Sequence, residues 1–98
     1  MSLSIFDDME EIKPFSEYPE EDRKKIFSWI KENLFVKDRI NYNFSGYAIK
    51  QRLTSETGVY VRTEQFQEAM TEAGFKSVPR SDFLHGKDYF YNVRVVSI

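Results

Sequence analysis

The clearest pattern of apolar and polar positions lies within residues 44–75. There Phe66, Ala69, Met70 and Ala73 recur at the three-and-four spacing of a single helix face. The spacing predicts an amphipathic helix with those residues inward, Thr63 as its cap and Gly74 at its end. A second helix is predicted just upstream, with Ser45 as candidate N-cap, Ile49 and Leu53 one turn apart, and Gly58 past its last turn. Residues 58–61 leave room only for a tight turn, so the pair reads as a helix-turn-helix.

The pattern extends to both sides of this pair. Pro19 followed by Glu20, Glu21 and Asp22 suits a helix start, and Ile26, Ile30 and Leu34 then recur every four residues, flanked by Phe27 and Trp29. This first helix is expected to end near Val36, where Lys37, Asp38 and Arg39 break the pattern. Residues 39–43, RINYN, alternate and predict a short strand. Downstream, 75–78 and 89–96 carry the Tyr, Phe and Val of strands that would pair as a hairpin. The loop between them, 79–87, is long and carries cations, as a wing would. Residues 1–18, cut by Pro14 and short of Pro19, read as an acidic N-terminal arm ahead of a domain at 19–98. The apolar residues Phe6, Met9, Ile12 and Phe15 suit either a loose tail or docking, on a partner or on the domain itself.

Composition bounds the function. A chain of 98 residues supports one modest core, and the 16% aromatic content can fill it economically. With no cysteine, disulfides, thiolate metal sites and cysteine nucleophiles are excluded, which fits a cytoplasmic protein. No apolar run approaches the ~20 residues of a membrane span, and the acidic N-terminus is unlike a secretory signal. His85 lies near Asp82, but no supported nucleophile accompanies them, and no glycine-rich phosphate loop occurs. No catalysis, cofactor, metal or small-molecule substrate is therefore expected.

The formal net charge of −2 conceals an asymmetry. Residues 1–22 hold eight acids against one base, so the remainder is basic by +5. An acidic arm over a basic face would compete with nucleic acid. With the apolar face of the last helix inward, Glu64, Gln65, Gln67, Glu68, Thr71 and Glu72 are expected outward, and Glu64, Glu68 and Glu72 form a stripe. Affinity for DNA comes largely from cations that displace counterions, so this stripe argues against docking of that helix in the major groove. Gln65 and Gln67 could reach adenine but supply no counter-charge. The candidate nucleic-acid-binding cations lie elsewhere, at Lys50, Arg52, Arg62, Lys76, Arg80 and Lys87. Tyr42, Tyr47, Tyr60 and Tyr89 suit either stacking on single strands or packing at the core rim.

Ser45, Tyr47, Ile49 and Lys50, then Tyr60 and Val61, then Phe66, Ala69, Met70, Gly74 and Phe75, and finally Phe90, Asn92 and Val93 form a series of motifs. Together they resemble a family of small phage and mobile-element proteins of Gram-positive bacteria. The chain departs from that family at Thr63, where an Asn is usual. The resemblance covers about half the chain and implies a winged-helix-like α+β fold with three helices and a small antiparallel hairpin as the wing. It implies a non-catalytic accessory protein that binds DNA through the wing in replication or regulation. The alternative is a protein-interaction module, a homodimer or an adaptor to a replication protein, using Glu64, Glu68, Glu72, Phe6 and Phe15.

Overall fold

The structure, a computed structural model, describes residues 13–84 and 86–96, so Phe6 and His85 lie outside the described residues. Helix α1 spans Glu20–Asn33, starts behind Pro19 with three acids in its first turn, and buries Ile26, Trp29 and Ile30. It stops at Asn33 rather than near Val36, because Leu34 is already extended and opens strand β1, Leu34–Ser45. The strand expected at 39–43 is therefore much longer and runs through the charged Lys37, Asp38 and Arg39. Those side chains are exposed, which an outer strand permits, and the segment is held extended by the paired residues on either side of it, Val36 and Asn41, rather than by ladder partners of its own.

Helix α2, Gly46–Thr57, begins as expected: the Ser45 hydroxyl accepts the Ala48 N–H at 3.2 Å, and Gly58 ends the helix at φ 79°. Helix α3 spans Thr63–Glu72, and its cap is Arg62 rather than Thr63. Gln65 Oε1 accepts the Arg62 N–H at 2.9 Å, while the Thr63 hydroxyl turns inward and donates to the Lys87 carbonyl. Phe66, Ala69 and Met70 are buried as their spacing predicts. Ala73 is exposed, contrary to expectation, because the helix ends at Glu72 and Gly74 takes φ 99°. That reversal lets the Phe75 N–H reach the Met70 carbonyl at 2.9 Å and brings the Phe75 ring inward instead.

Strands β2, Ser77–Arg80, and β3, Asp88–Val95, form the expected antiparallel hairpin, with Ser77 opposite Tyr91 and Arg80 opposite Asp88. The hairpin starts two residues later than predicted and takes in Pro79, which an outer strand tolerates because only one of its edges must bond. β1 adds on the other side, giving an antiparallel sheet of order β1-β3-β2. Its register slips twice between Val36 and Ser45. There side-chain amides replace lost ladder bonds: Asn41 Nδ2 donates to the Val93 carbonyl at 2.9 Å and Asn92 Nδ2 to that of Lys37 at 3.1 Å.

The described chain is thus α+β, three helices with a three-stranded antiparallel sheet. Ile26, Ile30, Leu53, Val61, Phe66, Met70, Tyr91 and Val93 form the centre of the core, with Phe66 and Tyr91 edge-to-face at 5.7 Å. Among the described residues, no helix is long and apolar enough to cross a membrane.

The end of the acidic arm docks on the domain itself. Phe15, in a 3-10 turn at Phe15–Glu17, is 1% exposed and meets Phe27 edge-to-face at 5.4 Å. Burying such a ring stabilises a fold by about 1.5–3 kcal/mol. Around it, the Phe15 N–H donates to Glu68 Oε1 at 2.9 Å and Gln65 Nε2 donates to the Lys13 carbonyl at 2.6 Å. The Tyr18 hydroxyl donates to Gln65 Oε1 at 2.6 Å. Gln65, expected outward, is therefore buried, because the chain's own residues 13–18 cover that side of α3.

Candidate functional site

Gly46 sets the site by letting α2 lie directly against β3. A Cβ there would stand 2.8 Å from Asp88 Oδ1, 2.9 Å from Tyr91 Cε2 and 3.0 Å from the Tyr89 carbonyl. With α2 so placed, Tyr47 and Lys50 share one helix face at i and i+3, and the turn after α2 brings Tyr60 to the same place. The Lys50 ammonium lies 5.0 Å from the Tyr47 ring centroid and 5.1 Å from that of Tyr60. The residue is only 5% exposed. Among the described residues it makes no ion pair and no side-chain hydrogen bond. Burial, and secondarily the charge of Arg62, holds its pKa below the ordinary lysine value, with Asp88 acting in the opposite direction.

Lys50 opens into a notch of about 180 Å³ that Arg62, Thr63, Glu64 and the rings of Tyr47, Tyr60 and Phe83 complete. Arg62 stands 3.9 Å from Glu64 Oε1, a long contact between partly exposed groups. Phe83 comes from the hairpin loop, its ring 5.4 Å from that of Tyr47 and 5.2 Å from the Arg80 guanidinium. The Thr63 hydroxyl, donating to the Lys87 carbonyl, ties the start of α3 to the same loop. Notch, turn and loop form one surface.

The sequence-predicted cations divide. Lys50 and Arg62 line the notch, and Arg80 and Lys87 flank it beyond Phe83. Arg80 is already neutralised, at 2.8 Å from Asp82 Oδ1 and 3.0 Å from the buried Asp88 Oδ2. Its hydrogen bond depresses the pKa of Asp82, and both carboxylates raise its own. Arg52 lies elsewhere and is engaged through all three of its nitrogens by Glu56, the Val96 carbonyl and Asn33, with Trp29 beneath its guanidinium. Lys76, at the far end of β2, lines neither cavity. Of the acidic stripe, Glu64 lies on the notch rim, Glu68 holds the Phe15 backbone, and Glu72 is exposed. Phe83 did not stand out in the sequence, although an aromatic residue in a polar loop rich in turn residues is a usable signal.

Comparison with protein-family models, with characterised proteins and with solved structures gave no match.

Proposed function

We propose that this chain is a non-catalytic, winged-helix-like accessory protein, of the kind carried by phages and mobile elements, that binds nucleic acid through the notch and the adjoining hairpin loop. The observation that carries the reading is Lys50, a buried cation without an anionic hydrogen-bond partner among the described residues, opening beside Arg62 between exposed tyrosines. Cations interleaved with aromatic faces suit a phosphate backbone and its bases. The element order, a helix-turn-helix followed by a hairpin with β1 beside β3, supports the winged-helix-like assignment. Groove reading by α3 is disfavoured: Glu64 and Glu72 repel phosphate, Glu68 is taken up by the Phe15 N–H, and residues 13–18 cover Gln65.

The test is binding of single-stranded and duplex DNA at low and at physiological salt. Binding should weaken steeply with salt, and Arg62→Ala should lower the slope by about one unit of log K against log salt. No binding of either form at low salt overturns the reading.

A second reading, self-association, rests on β1. This outer strand exposes Phe35, Val36, Tyr42 and Phe44 at 47%, 59%, 66% and 43%. Phe35 and Val36 also border an apolar groove with Phe27, Leu34 and Phe75. An unpaired apolar edge is a template for a second copy of the same strand. A concentration-independent monomer in sedimentation equilibrium rules that reading out.

A further inference from the structure

Resting on the nucleic-acid reading, we infer that the notch seats a terminal phosphomonoester of a nucleic-acid strand and so recognises strand ends. The cation in question is recessed. Lys50 is 5% exposed and sits about one ring-contact distance, 5.0 and 5.1 Å, from Tyr47 and Tyr60. A charge-assisted hydrogen bond needs an acceptor oxygen within about 2.7–2.9 Å of the ammonium, so the anion must enter the notch rather than pass over it. The space, about 180 Å³, is that of roughly six water molecules. An internal phosphodiester carries a nucleoside on both sides and would have to bring both to this opening. A terminal phosphate carries one, and projects.

Charge points the same way. A phosphomonoester bears about −1.5 to −2 near neutral pH, whereas a diester bears one negative charge. Lys50 and Arg62 together offer two positive charges to it. Glu64 opposes the ligand from the rim, but its contact with Arg62 is long, at 3.9 Å, and side chains on both sides are 41% and 29% exposed, so the pair yields readily to a dianion. Asp88 bears on Lys50 from the sheet side: its Oδ2 is committed to Arg80, while its buried Oδ1 has no hydrogen-bond partner among the described residues and, like Glu64, opposes the ligand. Tyr60, 63% exposed, stands at the mouth, where the first base of the strand can stack on it.

The experiment uses the full chain and one single-stranded oligonucleotide sequence in five forms: 5′-phosphorylated, 3′-phosphorylated, hydroxyl-ended at both termini, circular, and duplex. Inorganic phosphate and a phosphotyrosine peptide serve as competitors. One phosphorylated terminus should bind at least about tenfold tighter than the hydroxyl-ended and circular strands, and the preferred end identifies which terminus is read. Lys50→Met should abolish that difference in a chain that circular dichroism shows still folded, since methionine keeps much of the buried stem. Tyr60→Ala, at an exposed site, should weaken the phosphorylated strand several-fold without affecting folding. Equal affinity for all strand forms overturns the inference and leaves the nucleic-acid reading standing; no binding of any form at low salt overturns both. Competition by the peptide or by inorganic phosphate as strong as that of the phosphorylated strand also overturns it, because recognition would then lie in the phosphate alone.

Discussion

At the scale of single residues, a few side chains are held so tightly that a small change should be felt. Gly46 is one of them. It is buried, and an added methyl group would meet a carboxylate oxygen, an aromatic carbon and a backbone carbonyl within 3.0 Å, none of which is a flexible chain end. Gly46→Ala should therefore push α2 off β3 and destabilise the fold by about 1–3 kcal/mol, read as a lower urea midpoint at unchanged slope. Tyr18 gives a second test through pH. Burial, reinforced by neighbouring acidic groups, raises its pKa from 10.0 to about 12, and burial raises that of Tyr91 as well. A tyrosine whose pKa is raised on folding favours the folded state in its neutral form. Its contribution is complete below pH 10 and is lost as pH climbs toward 12. Denaturation between pH 8 and about 11.5 should show stability falling above the ordinary tyrosine value of about 10. Tyr18→Phe should flatten part of that fall, and by losing the hydrogen bond to Gln65 should cost about 0.5–1.5 kcal/mol at neutral pH. An unchanged slope would show that Tyr18 does not titrate differently on folding.

At the scale of elements, the sheet depends on one buried amide. Asn92 Oδ1 accepts the Lys76 N–H at 2.7 Å and its Nδ2 donates to the Lys37 carbonyl, so it joins the approach to β2 with β1 where the β1 ladder is interrupted. Asn92→Ala leaves two backbone groups without those partners and should cost about 2–3 kcal/mol, with faster hydrogen exchange at the Lys76 amide. A loss below about 0.5 kcal/mol would mean that water replaces the amide at no cost. The same region marks the limit of what the sequence could say. Phe66, Ala69 and Met70 announced α3 because one face of that helix meets the core, and Ser45 and Gly58 announced α2 because caps are local chemistry. β1 was only partly legible: its residues on either side of the charged centre pair with β3, a contact far away in the chain, while Lys37 to Arg39 lie where the register slips and are tied in by the Asn92 amide at the Lys37 carbonyl. Gln65 was misplaced for a related reason, since what buries it arrives from residues 13–18. The cations of the candidate site were readable as residue types, and Tyr47 and Lys50 even share a helix face. That Lys50 is recessed between Tyr47 and Tyr60, with Phe83 closing the side, depends on the turn and the hairpin loop folding over α2.

At the scale of the whole molecule, the acidic arm divides into two parts with opposite consequences. Residues 1–12 contain Asp7, Asp8, Glu10 and Glu11 and no base, so a chain beginning at Lys13 moves from a net charge of −2 to +2. Residues 13–18 carry the buried Phe15 and the Tyr18 hydroxyl that engages Gln65. Removing the first part should raise nucleic-acid affinity several-fold at low salt, with the gain shrinking at high salt as the Debye length falls. Removing both parts should instead cost about 3–5 kcal/mol of stability, because the loss of Phe15 opens a ring-sized cavity beside Phe27, and Phe15→Ala in the full chain should reproduce most of it. The order of these outcomes separates charge from packing. Weaker binding by the longer deletion alone reflects an unfolding domain, whereas stronger binding by the shorter one, at an unchanged melting temperature, assigns to Asp7, Asp8, Glu10 and Glu11 the task of holding an anionic ligand off the basic face. If the shorter deletion leaves affinity unchanged at low salt, the arm has no autoinhibitory role, and the net charge of the chain does not govern access to the notch.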